Sequence, residues 1–316
     1  MDEGRENRLS AGEARVLRAH CQHFSHLGWA LFAQAAVPLL IQGGAILAVR
    51  LAAPRLLGNT LFLWILSALS VYGAGFPAFC LVIGDATAAP PVRPKTPLGP
   101  LRFGQVYLIG LALLYLSNYL TLFLLWLVGL LRGEAVVNPV ESMQEYPAAL
   151  NLLLACVIAP LAEEMMFRRL LLDRLRPYGD RFAVIASALC FGLFHGNLNQ
   201  LFYAFALGLV FAYVALRTGC LWQTILLHAM VNFISAGLLP LMEAMGDQGE
   251  ELLGVLVLGS IVLGVVFLIA RKRDLWFGPG ESGLTEGRKW RLFFENPGVL
   301  CFCLLAAVEC AIYLTA

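Results

Sequence analysis

Two adjacent carboxylates, Glu163 and Glu164, stand near the end of a long apolar run, Ala148 to Leu161, and are followed closely by Arg168 and Arg169. Ionisable side chains inside a membrane segment are costly, and their default reading is a functional site with a nameable partner. Partners lie downstream on two more apolar stretches: His195 on one, His228 and Asn232 on the other. One carboxylate, two imidazoles and a carboxamide can together hydrolyse an amide. An acid–imidazole pair, Glu163 with His195, would hold a water and take its proton. A His–Asn pair, His228 with Asn232, would donate hydrogen bonds to the oxyanion as it forms. No serine or cysteine stands in a nucleophile motif and no His-Glu-x-x-His occurs, which argues against serine-type and zincin chemistry. Glu163, His195 and His228 could also ligate zinc. The metal-free reading, with no cofactor, is preferred because the Asn and a Glu–Arg pair suit an oxyanion hole better.

Spacing assigns the supporting residues. Glu164 and Arg168 are i, i+4 with the acid on the N-terminal side, the favourable order for an ion pair. Neighbouring helix positions point about 100° apart, so Glu163 faces elsewhere, together with Met166 and Phe167. Phe191 and His195 are also i, i+4, so the ring packs against the imidazole. His228 and Asn232 share a face that Ser235 extends. Each pattern has a plainer reading: acids pairing with Arg168, Arg169 and Arg174 at a membrane interface, or polar groups bonding between helices. Convergence from three apolar segments favours chemistry. Depth agrees, since His195 is about 14 residues, roughly 21 Å, from Arg181, while Glu163 is about 10 residues, roughly 15 Å, from Asp173.

The elements that must hold these residues are membrane helices. The 316-residue chain is 59% hydrophobic and 14% charged, with mean hydropathy +0.76, against roughly 25% charged in a soluble domain. A span takes about 20 apolar residues. Nine candidates occur: 28–49, 60–83, 104–131, 147–171, 182–196, 199–217, 220–239, 252–270 and 297–315. The fifth is short. The last has Glu309 in its interior, so it either packs on the bundle there or does not span. Turn residues, among them Pro90-Pro91, Gly133, Gly196-Asn197 and Pro240, separate the segments. The fold class is therefore an all-α polytopic bundle of about eight or nine spans. Placing the N-terminus in the cytoplasm puts 19 of the 22 Lys and Arg on the inner side and leaves Arg50, Arg55 and Arg132 outside, as the positive-inside rule expects. The loops 133–146 and 240–251 are acidic and would lie outside.

Met1–His26 lacks the apolar core of a signal peptide. Residues 1–27 form a short cytosolic segment with a weak helical pattern (Leu9, Val16, Leu17), suited to the membrane surface. The eight cysteines fall mostly in apolar runs and read as small hydrophobes rather than disulfides or metal ligands. A net charge of +1 offers nothing to nucleic acid. Trp29, Trp64, Tyr107, Trp126, Tyr146, Tyr203 and Trp222 near segment ends read as interfacial anchors or core.

Glu-Glu-x-x-x-Arg (Glu163, Glu164, Arg168), Phe-x-x-x-His (Phe191, His195) and His-x-x-x-Asn (His228, Asn232) occur complete and in order. They resemble the three motifs of the CPBP family, which comprises CAAX-type prenyl endopeptidases and bacteriocin-processing or immunity (Abi-type) proteins, intramembrane glutamate proteases and their relatives. The resemblance implies Glu163 as water-activating base with His195, and His228 with Asn232 as oxyanion donors. Glu164, Arg168 and Phe191 support them. It covers a catalytic core (101–272); a cytosolic segment (1–27) and accessory transmembrane helices (28–100) before it, and a cytosolic loop with the last segment (273–316) after it, are not accounted for by the motifs. The expected activity is intramembrane endopeptidase action on a membrane-associated or lipidated protein or peptide, with membrane lipid as surroundings and the bacterial plasma membrane as location. A non-catalytic binding or immunity protein on the same scaffold is the alternative. A transporter is disfavoured by the absence of internal repeats.

Overall fold

The computed structural model describes residues 11–84, 86, 88–89, 95–134, 136 and 146–315. Arg5, Arg8, Leu9, Pro90-Pro91, Arg93 and most of the acidic 133–146 loop lie outside these residues. The described chain is a helical bundle. Its elements are α1 (Ala11–Ala52), α2 (Thr60–Ile83), α3 (Pro100–Arg132), α4 (Ala148–Tyr178), α5 (Asp180–Phe194), α6 (Leu198–Thr218), α7 (Leu221–Ala244), α8 (Asp247–Arg271), α9 (Glu286–Phe294) and α10 (Pro297–Thr315). Eight of these are long and apolar enough to cross a membrane, and α5 and α9 are not. The protein is a multi-pass membrane protein.

The fifth expected span is thus 15 residues long, about 22 Å against the roughly 30 Å of a hydrocarbon core. It still reverses the chain. Turns at Pro177–Gly179 and Gly196–Asn197 flank it, and it packs along α6. One end of the bundle gathers the start of α1, the turn 174–182, the α6–α7 turn and the segment 275–293. His23 Nε2 donates to the Arg174 carbonyl (3.0 Å), Glu281 N to the Pro177 carbonyl (2.8 Å), and Leu98 N to Gln223 Oε1 (2.9 Å). At the other end Arg132 reaches the carbonyls of Leu314 and Thr315. The described termini are therefore at opposite ends, which requires an odd number of traverses, with α5 a short ninth.

Residues 11–27 do not form the separate surface helix expected. They continue straight into the first span, because nothing between His26 and Trp29 breaks the helix. Phe24 is fully buried among Tyr178, Phe182 and Phe293, with ring centroids 4.3, 5.7 and 5.6 Å away. His20 Nδ1 also bonds the Tyr178 hydroxyl at 3.0 Å. α10 crosses α1 with Gly28 against Gly298 and Val299, and a Cβ on Gly28 would lie 2.1 Å from Val299 N. Small residues at such crossings let membrane helices approach closely. Glu309, the doubtful residue of the last segment, packs against the bundle: its Oε2 is 2.7 Å from where a Cβ on Gly196 would stand. All eight cysteines are free thiols, of which Cys190 and Cys220 are buried and the other six half-buried.

α4 is the centre, touched by α2, α5, α6 and α7, while α1 and α10 cover one side and, on the other, α3 packs against α6 and α8 packs against α3. α4 is not uniform. Glu163 and Glu164 end a short α-helical stretch, Ala159–Glu164, between two π-helical stretches, Leu154–Ile158 and Met165–Leu171. Further π-helical turns occur at Leu69–Gly75 in α2 and Ile234–Leu238 in α7. Such bulges cluster at functional sites because the added residue re-aims side chains. Here the three spans that carry them all send polar side chains to one place.

Candidate active site

That place is the contact of α4 with α2, α5, α6 and α7. Glu164 and Arg168 are wholly buried, and Arg168 Nε lies 3.1 Å from Glu164 Oε2, so the ion pair forms as its spacing predicts. The two are close without being aligned as a hydrogen bond. The guanidinium is held further by Ser187, whose hydroxyl is 3.5 Å from Nη1 and itself donates to the Phe167 carbonyl at 3.1 Å. It also lies over the Phe191 ring, 4.5 Å from its centroid. A buried charge needs such company, because removing it from water costs several kcal/mol before any partner is counted.

His228 stands between the two acids. Its Nδ1 is 3.1 Å from Glu164 Oε1, and a carboxylate only accepts, so Nδ1 carries the proton. Its Nε2 faces Glu163, 3.8 Å from Oε2. Phe211 stacks on the imidazole at 5.4 Å, and Phe191 meets it edge-on at 5.8 Å. The sequence places His228 near Glu163 by convergence alone; its bond to Glu164 has no signal in the spacing. Glu163 is buried too. Its Oε1 accepts from the Tyr72 hydroxyl at 2.7 Å, and its Oε2 has no hydrogen-bond partner in the protein. Tyr72 belongs to the 28–100 region, which the motifs leave out of the core.

His195 follows the last turn of α5, its ring edge-on to Phe191 at 5.1 Å. Nδ1 donates to the Phe191 carbonyl at 2.8 Å, which leaves Nε2 as an acceptor. The imidazole is within electrostatic range of Glu163, His228 and Arg168 but bonds none of them directly. Gly196, at φ 61°, makes the turn that ends α5, and Asn197 caps α6 by accepting from Gln200 N at 2.9 Å. Asn232 lies one turn beyond His228. Its Nδ2 donates to the Ala155 carbonyl at 2.8 Å, in the first π-helical stretch of α4, which leaves its second N–H unassigned. All seven expected residues thus come together around α4.

A cavity of about 590 Å³ opens beside Met165, Arg168 and Arg169 on α4 and Leu221 and Trp222 at the start of α7. It borders the supporting ion pair and not Glu163. Among the described residues no group of three or more His, Cys, Asp or Glu side chains is disposed to hold a metal ion.

The site is a buried cluster of Glu, His and Asn side chains inside a polytopic helical bundle, and comparison with known proteins points to membrane peptidases. Residues 145–234, from just before α4 to past Asn232, match the family described as type II CAAX prenyl endopeptidase Rce1-like. The chain is 26% identical over 186 residues to the "Putative membrane peptidase YdiL" of Bacillus subtilis (strain 168), an alignment covering 54% of this chain and 72% of the relative. No solved structure matches the chain.

Proposed function

We propose that the protein is an intramembrane endopeptidase that hydrolyses a peptide bond of a membrane-associated protein or peptide with a water activated by Glu163. The observation that carries this is Glu163 itself: one carboxylate oxygen is anchored by Tyr72, and the other is buried, unbonded and turned toward His228. An acceptor left unpaired in a buried site is costly in a purely structural group. In the proposed step Oε2 takes a proton from water while the water oxygen attacks the carbonyl carbon. His195, through Nε2, orients the same water. The second N–H of Asn232, and His228 through Nε2 once that nitrogen also carries a proton, stabilise the oxyanion. The proton held by Glu163 then passes to the leaving amine as the C–N bond breaks. Glu164 and Arg168 hold His228 in place and touch no reacting atom.

The reaction as proposed needs no cofactor. The basic end of the bundle faces the cytoplasm of a cell membrane, and the lipid around the helices delivers the substrate laterally. The test is terminal-peptide proteomics on membranes from cells making wild type or Glu163→Gln at matched levels. New protein termini present only with wild type are the expected result and identify the substrate. Identical termini in both, with both proteins folded, would overturn the proposal.

A further inference from the structure

Tyr72 lies 91 residues from Glu163 and outside the segment that matches the protease family, yet its hydroxyl donates to Glu163 Oε1 at 2.7 Å. Its position is held from both sides by buried polar contacts between α1 and α2. Gln34, 1% exposed, donates to the Val71 carbonyl at 3.3 Å, and Gln42 donates to Ser70 Oγ at 2.7 Å, with Ser70 also 1% exposed. On the other flank Gly75 leaves no room: a Cβ there would lie 2.8 Å from Pro38 Cγ and 3.1 Å from the Gln34 carbonyl oxygen. The π-helical stretch Leu69–Gly75 contains Ser70, Val71, Tyr72 and Gly75. A phenol that only filled space between spans would need neither this bracing nor an acid as its partner.

We infer that Tyr72 is a positioning residue of the proposed hydrolysis, fixing one oxygen of Glu163 so that the other is presented to the attacking water. The inference rests on Glu163 being the base. A carboxylate free at both oxygens samples rotations about its last torsion, which is soft, and a displacement of about 1 Å in a reacting group can cost about a hundredfold in rate. The role asks only for a hydrogen-bond donor at the para position. α1 and α2 are then part of the active site's frame, whereas the motifs alone make them accessory.

The experiment follows the rate at which wild-type-specific termini accumulate in membranes carrying wild type, Tyr72→Phe, or Tyr72 replaced by p-aminophenylalanine, a donor of similar shape. Melting of the purified proteins runs alongside, with Glu163→Ala and the Tyr72→Phe/Glu163→Ala double variant included. The Phe variant is expected to slow cleavage about ten- to a hundredfold, and the amino variant to restore most of that loss. The double variant should melt no lower than the more damaged single variant, because one bond is removed twice. Cleavage by Tyr72→Phe at the wild-type rate, or an amino variant no better than Phe, would overturn the positioning role and leave Glu163 as base untouched. A wild type that generates no new termini would remove the protease reading and this role with it, and the melting cycle would then report a bond that is structural only.

Discussion

Replacing Glu164 by Ala should damage the fold far more than replacing Glu163 by Ala, although the two residues are neighbours and both buried. Glu164 has two charged or chargeable partners, Arg168 Nε at 3.1 Å and His228 Nδ1 at 3.1 Å. Its loss strands a guanidinium with no exposure to water, left with a 3.5 Å contact to Ser187 and the face of Phe191. Breaking a buried pair from one side costs about 3–5 kcal/mol, and the orphaned imidazole donor adds about 1 kcal/mol. Glu163→Ala strands one neutral phenol, at about 1–3 kcal/mol, and also removes an acid with an unsatisfied oxygen, which offsets part of that. Purified in detergent and melted side by side, Glu164→Ala should fall on the order of 10 °C below wild type, and Glu163→Ala should stay within a few degrees.

The double variant Glu164→Leu/Arg168→Met separates stranded charge from lost packing. With both charges gone the site holds apolar side chains, an exchange that is often neutral or better. It should therefore recover much of what Glu164→Ala loses. Equal melting of the two single Ala variants, or a double variant as damaged as Glu164→Ala, would show that the cost does not arise from an uncompensated charge.

Three further outcomes follow from the geometry. Asn232→Ala removes one bond to the Ala155 carbonyl and should cost only about 1 kcal/mol in a melt, yet lower cleavage by about a hundred- to a thousandfold if its second N–H serves the oxyanion; parallel losses in stability and rate would make it a purely structural tie. Gly196→Ala places a Cβ at φ 61° against Glu309, so it should cost about 1–2 kcal/mol in backbone strain alone. It should slow cleavage further by moving His195, and unchanged melting would count against the turn. Gly28→Val must push α10 off α1, where a Cβ already meets Val299 N. It should lower the melting temperature by several degrees, corresponding to about 1–3 kcal/mol of overpacking, and unchanged melting would refute the crossing.

The spans are legible in the sequence because a membrane helix must satisfy its own backbone over some 20 apolar residues, a pattern that shows without tertiary context. The pairs within one helix are legible for a similar reason. Glu164–Arg168 and Phe191–His195 are i, i+4 contacts, and helical geometry alone brings such residues together. What spacing cannot give is the relation between helices. That His228 bonds Glu164 while facing Glu163 depends on the rotation of α7 against α4. The π-helical turns set this rotation, and no residue type in Leu154–Ile158 or Met165–Leu171 announces them. The continuity of α1 was hidden by composition: its charged first turns resemble a surface helix, while His20, His23 and Phe24 find partners 150 or more residues away.

Tyr72 shows the same limit most sharply, and it bears on how the site is built. A tyrosine in an apolar stretch has no periodic signature, since it reads equally well as core or interfacial anchor. Its meaning comes from the acid it meets. The three motif-bearing spans supply groups that can move protons or donate to an oxyanion, but they leave Glu163 without a hydrogen-bond donor, since His228 Nε2 is 3.8 Å away and His195 makes no direct bond to it. The donor comes instead from α2, which α1 and its polar contacts brace from behind. Motif-bearing helices transplanted without α1 and α2 would keep every residue of the three motifs and lose the one direct bond that orients the base. Such a core should fold poorly or turn over slowly even with Glu163, His195, His228 and Asn232 intact, and supplying α1 and α2 as a separate co-expressed chain should restore cleavage only when that chain retains Tyr72.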